Sequence, residues 1–311
     1  MATTNKSTAG LRMRKKQQAK LFLLVLPFLI LLALFTYVPL FGWSYAFVKY
    51  VPGKSVFASQ WMGLEYFKLI ATMYGDNFLL VLRNTFALSG LNILSTVFPV
   101  LVAVLLTLLR GKRYSKACQT ILSIPYFISW VLVYSVVFLV VASDTSAYNT
   151  AMQNMGLASG PVNILAKADC AWITQICIYL WKNVGYNSII YLSAISSIDP
   201  ELYEAADIDG ANRFQKVLHV MLPGLSSTYI VMLMLAICNM LSNGFEQYWL
   251  FGNGMTLEYL EVFDTYVYRV GIVNGLFSLS TAFGIFKTLV SVVILTAANF
   301  GAKLLRGQSI F

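Results

Sequence analysis

Six long apolar stretches, separated by shorter polar segments, follow one another along the 311-residue chain. They cover residues 21–43, 78–109, 118–142, 172–196, 225–251 and 283–305. Each stretch holds the roughly 20 predominantly apolar residues that an α-helix needs to cross about 30 Å of hydrocarbon. A helix also satisfies its own backbone hydrogen bonds, which a lipid environment requires. The pattern predicts an all-α, polytopic membrane protein with six transmembrane helices, the second of them kinked or tilted near Pro99.

The composition supports a membrane environment. Hydrophobic residues make up 58% of the chain and charged residues 11%, and the mean hydropathy is +0.70. Soluble domains carry about 25% charged residues, so cytosolic enzymes, secreted proteins and disordered chains are excluded. No long polar insertion interrupts the stretches. We therefore expect one transmembrane domain over residues 21–311, preceded by a basic tail over residues 1–20.

The basic residues alternate from one side of the membrane to the other. Fourteen of the 22 Lys and Arg lie in residues 1–20, the 110–116 turn, the 199–223 segment and the carboxyl-terminal tail, and five lie in the opposite segments. By the positive-inside rule, both termini are predicted to be cytoplasmic. The net charge of +9 is thus explained by membrane orientation, and no nucleic-acid partner is expected.

The cytoplasmic segment 199–223 differs from the other segments because five of the chain's thirteen acids fall within residues 199–209. Asp199 can cap a helix, and Pro200 suits its first position because that position needs no N–H donor. The sequence therefore predicts that a helix begins here on the cytoplasmic side.

The same segment contains a turn. The helix is predicted to reach about residue 208, to turn at Asp209-Gly210, and to resume over residues 211–220, with Pro223 opening the next span. From composition alone, this is a well-capped amphipathic helix of the kind that any cytoplasmic loop can contain. An elbow of two helices around a glycine can also pack closely against another protein.

The order of residues in this segment matches the pattern EAA-x3-G-x9-I-x-LP, with Val220 in place of Ile. This spacing, in the last cytoplasmic segment before the final two spans, resembles the EAA loop of inner-membrane permeases of binding-protein-dependent ABC importers. The residues that the resemblance assigns to ATPase coupling are Glu204, Ala205, Ala206, Asp209, Gly210, Ala211, Leu222 and Pro223.

Other segments resemble the polysaccharide-type permeases of sugar importers. They are residues 37–42, 83–85, 124–130, 185–191, 243–247, 265–271 and 283–287. The resemblance covers nearly the whole chain beyond the first 20 residues. It implies the transmembrane-domain architecture of a type I ABC importer.

The resemblance also implies partners. Such permeases pair, here as an expected heterodimer with a homodimer as the alternative, and two cytosolic ATPases dock on their EAA loops. An extracytoplasmic binding protein delivers an oligosaccharide across the bacterial plasma (inner) membrane. ATP and Mg would be bound by the ATPases, because this chain contains no GxxxxGK[ST]. We expect no cofactor, metal or catalytic residue in the chain itself, and Glu204 is expected to pair with a basic group of the ATPase.

Two other functions remain open at this point. An autonomous secondary transporter or channel for a small polar solute would need no EAA loop. A membrane-embedded transferase would need catalytic acids or a histidine cluster on its loops, whereas His219 is the chain's only histidine.

Polar residues inside the spans suggest a substrate path, because polar groups at such depth usually face a cavity or another helix. In the fifth span, four such residues recur at positions i, i+4, i+7 and i+8 and are expected to share one helical face. They are Asn239, Asn243, Glu246 and Gln247. Lys287 in the sixth span has a comparable depth, so it could meet Glu246.

The fourth span has a similar row at i, i+4 and i+8, formed by Asn183, Asn187 and Tyr191, with Tyr186 beside it. All these polar residues could instead be hydrogen-bonding contacts between helices. A free Lys287 in the path would suit an anionic saccharide such as a uronic-acid oligomer, although this lysine could also snorkel to the headgroups or form a structural pair.

Two extracytoplasmic segments are candidate docking surfaces. Residues 62–73 mix apolar residues with Glu65 and Lys68, which is typical of an interfacial helix. Residues 257–269 carry three acids and four aromatics, and could contact a binding protein or cap the fold.

Overall fold

The computed structural model describes Gln18 and residues 20–157 and 160–306. The predicted basic tail therefore lies almost entirely outside the described residues. Within these ranges the chain is helical apart from its loops and one short hairpin, in which β1 (Val48–Lys49) pairs antiparallel with β2 (Gln60–Trp61).

The helices are numbered in chain order. They are α1 (Lys20–Phe47), α2 (Glu65–Thr72), α3 (Gly75–Leu108), α4 (Lys112–Ser123), α5 (Trp130–Val137), α6 (Ala147–Asn154), α7 (Ala171–Ser196), α8 (Pro200–Ile208), α9 (Arg213–Cys238), α10 (Phe245–Phe251), α11 (Leu257–Leu260), α12 (Phe263–Tyr268) and α13 (Phe277–Arg306). Wider π turns extend α5 over Phe138–Ala142 and α12 over Arg269–Val273.

Five helical stretches of the described chain are long and apolar enough to cross a membrane, namely α1, α3, the α5–α6 stretch, α9 and α13. The fourth predicted span is α7, whose 26 residues extend about 39 Å and include Lys182 near the middle. All six apolar stretches of the sequence thus contain a helix, which confirms the predicted all-α membrane class.

The third predicted span, 118–142, is wrong as a continuous helix. Its first half belongs to α4, which tightens into a 3-10 turn at Ile124–Phe127 and gives way to extended backbone at Ile128 and Ser129. Pro125 cannot donate a backbone hydrogen bond. The side chain of Ser129 then caps the new helix by accepting from the N–H of Leu132 at 3.5 Å.

The fifth predicted span, 225–251, is also wrong as a single helix. Helix α9 begins earlier, at Arg213, and ends at Cys238. A non-helical stretch follows, and Gly244 starts α10 with φ +91°, a conformation that only glycine adopts readily.

Helix α3 has the interruption that Pro99 suggested. A turn at residues 95–96 separates its two helical parts, which are Gly75–Leu94 and Val97–Leu108. The carbonyl of Ser95, four residues before Pro99, is the group that the proline cannot reach, and it accepts instead from the N–H of Phe98 at 3.0 Å.

The buried apolar residues form separate clusters at different levels. One cluster joins α3, α12 and α13 around Phe78, Phe263 and Phe283, and Ile70 of α2 also packs there. Another joins α3, α7 and α9 around Tyr191 and Leu225. Apolar side chains of α1 between Leu21 and Phe41 remain exposed, as expected of a surface that meets lipid or another subunit.

Helices α4 and α7 approach each other closely at Gly185. A Cβ atom at this position would overlap the backbone carbonyl of Leu122 and lie 2.8 Å from the backbone nitrogen of Ser123. Only a glycine permits this distance, so Gly185 fixes how α7 packs against α4.

Replacing Gly185 with alanine should therefore force the two helices apart. We expect Gly185→Ala to destabilise the protein by about 1–3 kcal/mol through overpacking, measured as a lower melting temperature in detergent. The matched control is Gly90→Ala in α3, where a Cβ meets nothing within 4 Å. Equal melting temperatures for the two variants would contradict the packing described here.

Candidate coupling surface and substrate cavity

Helix α8 begins as the sequence predicted. The side chain of Asp199 accepts a hydrogen bond from the N–H of Glu201 at 3.0 Å, and Pro200 occupies the first position. The cap satisfies one of the donors that a helix start leaves free. None of the residues of α8 is fully buried, so the helix stands out from the rest of the fold.

The end of α8 is a Schellman turn. The N–H of Gly210 donates to the carbonyl of Asp207 at 3.1 Å, and the N–H of Ala211 donates to that of Ala206 at 2.9 Å. This arrangement needs a left-handed residue after the helix, and Gly210 has φ +73°. The predicted turn at Asp209-Gly210 is confirmed.

The next helix starts two residues later than predicted, at Arg213 instead of Ala211. Asn212 and Gln215 form a reciprocal capping box with distances of 2.7 and 2.9 Å. Pro223 does not open the span, because α9 continues through it from Arg213 to Cys238. A π turn over Val217–Met221 precedes the proline, and its wider spacing accommodates the missing N–H.

Three contacts tie this elbow to the membrane helices. Tyr203 packs against the cluster of α3, α7 and α9, and burial raises the pKa of its hydroxyl above the usual value. Lys216 forms an ion pair with Asp207 across the turn. The third contact is at Gly224, where a Cβ would fall 2.6 Å from the side chain of Ile198. Helix α8 is therefore attached to α9 and to the membrane helices packed against it.

A concave surface of about 430 Å³ lies between α8 and the start of α9, and we call it the coupling groove. Its lining comprises Leu202, Ala205, Ala206, Asp209, Gly210, Ala211, Gln215, His219 and Val220. The two alanines and Gly210 give it a shallow floor. Ile208 beside it is 87% exposed and Phe214 is 71% exposed, which is typical of an interaction surface. Glu204 is exposed next to the groove and does not line it.

A second concavity of about 290 Å³, the central cavity, lies between α3, α7 and α9. It brings together four of the residues predicted for the substrate path, namely Asn183, Asn187, Tyr191 and Asn239. The amides of Asn183 and Asn239 donate to carbonyls of their own helices at 2.8 and 2.9 Å. Their remaining oxygen atoms, and the partly buried amide of Asn187, offer hydrogen-bonding groups to a polar solute.

Sequence reasoning missed the contribution of α3 to this cavity. The additional polar lining residues are Asn92, Ser95 and Thr96 of α3, together with Tyr179 of α7. Asn92, Ser95 and Pro99 are spaced i, i+3 and i+7 and therefore share one face. That spacing predicts a shared face towards a cavity, whereas Pro99 was interpreted only as the cause of a kink.

The predicted polar face of the fifth span does not exist, because the break after Cys238 separates its members. Asn243 accepts from the hydroxyl of Ser89 at 2.8 Å and donates to the carbonyl of Thr85 at 3.2 Å. Gln247 is buried and donates to the side chain of Gln175 at 2.8 Å. These two residues connect helices, as the alternative in the sequence analysis allowed, while Glu246 lies exposed in the first turn of α10.

Tyr186 also lies outside the central cavity. Its ring stacks on that of Tyr126 with the centroids 3.7 Å apart. The partner expected for Lys287 was wrong as well: its ammonium group pairs with Asp264 of α12 at 2.5 Å, and Glu246 is not involved. Both members of this pair are mostly buried, so Lys287 is not a free cation in a substrate path.

The segment around α11 and α12, which is predicted to be extracytoplasmic, is hydrogen-bonded to α3. Asn84 is buried, and its amide donates to the carbonyls of Glu258 at 2.8 Å and Glu261 at 3.1 Å. The hydroxyl of Thr85 accepts from the N–H of Phe263 at 2.9 Å.

Glu261 also forms a bidentate pair with Arg269 at 2.6 Å. Burial raises the pKa of Glu261 above its usual value, although the positive charge of Arg269 acts in the opposite direction. The segment is therefore a fixed outer cap with charged edges. Within the described part of the chain, no three His, Cys, Asp or Glu side chains come together as a metal site.

The Lys287–Asp264 pair can be tested by a double-mutant cycle. Lys287→Met leaves Asp264 unpaired, and we expect a loss of about 1.5–3 kcal/mol of stability, the range for hydrogen bonds to charged groups. Adding Asp264→Asn should recover part of that loss. Melting temperatures of the two single variants and the double variant measure the coupling.

Lys68→Met serves as the matched control, because Lys68 is exposed on α2. If Asp264→Asn brings no recovery, the two side chains do not stabilise each other.

Comparison with known protein families gives one extended match. Residues 95–306 match the family described as "Binding-protein-dependent transport system inner membrane component". Among curated relatives, protein LplB of Bacillus subtilis (strain 168) is 36% identical over 299 residues, covering 95% of this chain and 92% of LplB. The polygalacturonan/rhamnogalacturonan transport system permease protein YteP of the same organism is 39% identical, covering 95% of this chain and 91% of YteP.

Solved structures agree with the sequence relatives. A bacterial ABC transporter involved in the import of the acidic polysaccharide alginate contains a chain with a TM-score of 0.86 and 33% identity, covering 95% of this chain and 99% of that one. The alginate transporter in complex with an alginate pentasaccharide-bound periplasmic protein gives a TM-score of 0.85 and 32% identity, with 95% and 98% covered. The predicted importer-permease architecture is confirmed, and the chain belongs to the family of binding-protein-dependent transport system inner membrane components.

Proposed function

We propose that this chain forms one half of the translocation path of an ATP-driven oligosaccharide importer, and that a separate cytosolic ATPase acts on it through α8. The observation that carries the proposal is the coupling groove, an exposed and preformed surface on a helix that is bound firmly to the membrane helices. Family membership supports the same function. ATP and Mg would be bound by the ATPase subunits.

The coupling would be mechanical. Closure of two ATPases moves the α8 helices, and the elbow passes this displacement to α9, whose far end carries Asn239 of the central cavity. Paired permeases would then alternate between inward-open and outward-open states, a rigid-body transition of a known kind. Glu204 is exposed beside the groove and offers a carboxylate to a basic group of the ATPase.

The central cavity suits the hydroxyl groups of a sugar. Among the lining residues, neutral amides and hydroxyls provide the polar groups and none is a lysine or arginine. Such groups both donate and accept hydrogen bonds. Relatives that act on alginate and on polygalacturonan or rhamnogalacturonan make uronic-acid oligomers the first substrates to test, and any charge recognition would have to come from outside this cavity.

The remaining partners follow from the surface. The apolar face of α1 would meet lipid and a second permease subunit, with a heterodimer expected. An extracytoplasmic binding protein would dock on the cap formed by α11 and α12. Both termini would lie in the cytoplasm of a bacterium, with the chain in its plasma membrane.

Docking of the ATPase can be tested by filling the groove. We expect Ala205→Trp to weaken co-purification of the ATPase by at least about tenfold, because the indole would occupy the space that the partner needs. Glu201→Trp is the matched control, since it places the same side chain on an exposed position of α8 that does not line the groove.

The proposal would be contradicted if Ala205→Trp retained the same amount of co-purified ATPase as the wild-type chain. Transport by the purified chain alone in liposomes would instead support an autonomous transporter.

Substrate contact can be tested at Asn187. In the reconstituted complex, we expect Asn187→Leu to raise the oligosaccharide concentration that half-maximally stimulates ATP hydrolysis by roughly tenfold, through loss of a hydrogen-bonding group. Ser193→Leu in the same helix is the control, because Ser193 is exposed and does not line the cavity.

A panel of uronic-acid and neutral oligosaccharides should be measured in the same assay. If no oligosaccharide stimulates hydrolysis, the substrate class is wrong. If Asn187→Leu behaves like Ser193→Leu, the central cavity is not the binding site.

A further inference from the structure

The break between α4 and α5 leaves backbone carbonyls without helical partners inside the membrane-spanning part of the fold. The α-helical ladder stops at Ser123, and Ile128 and Ser129 are extended. Unpaired carbonyls in such a place cost several kcal/mol each. A group that donates hydrogen bonds must therefore lie close to the break.

That group is the side chain of Lys182 from α7. Its Nζ atom donates to the carbonyls of Ile128 at 2.5 Å, Tyr126 at 3.0 Å and Pro125 at 3.1 Å. An ammonium group has three donors and no acceptor, so its hydrogen-bonding capacity is used completely by the break. Lys182 is only 5% exposed and is not available to a substrate.

Aromatic rings complete the surroundings of this cation. Nζ lies 5.2 Å from the ring centroid of Trp130 and 5.9 Å from that of Tyr126, both within the range of cation–π attraction. Within the described residues no carboxylate lies within 4.0 Å of Lys182. Its close contacts are therefore carbonyl dipoles and ring faces, as for a bound monovalent cation, while the negative charge of Glu246 acts on it from farther away.

The lysine is placed so that one side chain holds both halves of the broken segment. Gly185, three residues further along the same face of α7, contacts the end of α4, and Lys182 reaches the break itself. Ile178, four residues earlier, packs in the cluster that contains Val133 of α5. Helix α7 thus contacts α4, the break and α5 in succession, and among the described residues Lys182 supplies the side-chain hydrogen bonds from α7 to the break.

We propose that Lys182 is a positioning residue whose ammonium group acts as a tethered cation, closing the hydrogen bonds of the break and fixing α4 and α5 to α7. The opposite side of α7 carries Asn183 and Asn187 of the central cavity. If the chain has the proposed importer function, this arrangement makes α4, α5 and α7 move as one rigid body. A displacement of these helices then moves the lining of the central cavity by a similar distance.

The first test uses chemical rescue of stability and does not depend on the proposed function. Lys182→Ala removes the three side-chain methylenes and the ammonium group that n-propylammonium can replace. In the purified chain in detergent we expect a melting temperature at least roughly 4 °C below wild type, partly restored by n-propylammonium chloride. Tetramethylammonium chloride at the same ionic strength has no N–H donor and should restore nothing.

Lys54→Ala is the matched control, because Lys54 is exposed on an outer loop; its melting temperature should equal that of wild type in all buffers. The proposal is overturned if Lys182→Ala melts like wild type, or if both salts act on it equally. If Lys182→Ala is not recovered folded, Lys182→Met and Lys182→Arg are compared instead. A higher melting temperature for the arginine variant than for the methionine variant supports a cation that donates hydrogen bonds. Equal melting temperatures, or failure of both variants, overturn it.

The second test rests on the proposed function. In proteoliposomes we expect Lys182→Met to lower the amount of oligosaccharide moved per ATP hydrolysed several-fold, with Lys54→Ala unaffected. Normal coupling in a variant that has lost stability would show that Lys182 supports the fold without positioning the transport machinery. Absence of transport by wild type would refute the importer function and leave the rescue result standing.

Discussion

Peptide groups inside a membrane have no water to bond with, and this constraint governs the whole architecture. Where the helical ladder is intact, the chain satisfies itself, as in α7 and α9. Where the ladder stops, another part of the chain must supply the missing partner. Lys182 does so at the break between α4 and α5, and the hydroxyl of Ser89 does so for the carbonyl of Met240 in the break after α9.

The same requirement organises the segment around α11 and α12, which is predicted to be extracytoplasmic. Asn84 and Thr85 of α3 hydrogen-bond to backbone groups of the segment that precedes and begins α12. The Glu261–Arg269 ion pair joins two parts of that segment, and the Lys287–Asp264 ion pair joins the segment to α13. The charges near this end of the spans thus serve the fold, and the cavity is left with neutral polar groups that suit an uncharged hydroxyl-rich surface.

Features that depend on residues close together in the sequence were predictable. Features that depend on contacts between residues far apart in the sequence were not. The cap at Asp199 and the turn at Gly210 follow from residues within a few positions, so the elbow was predicted nearly as it is found. The breaks in the third and fifth apolar stretches were missed because hydropathy stays high through Pro125 and because a straight helix was assumed through Gly244. That assumption placed Asn239 and Gln247 on one face, although only Asn239 reaches the cavity. The partner of Lys287 could not be foreseen, since nothing in the sequence distinguishes Asp264 from Glu246 as its neighbour in space.

The elbow has a thermodynamic consequence that follows from its caps. The Asp199 cap, the Schellman turn at Gly210 and the Asn212–Gln215 capping box all close within this chain. The surface that the proposed ATPase would meet is therefore already ordered, and association would lose little backbone entropy there. An ATPase that docks on this elbow would bind a rigid surface. Even at modest affinity, such a contact would fix the relative orientation of the two proteins, and it could then transmit a displacement in every transport cycle.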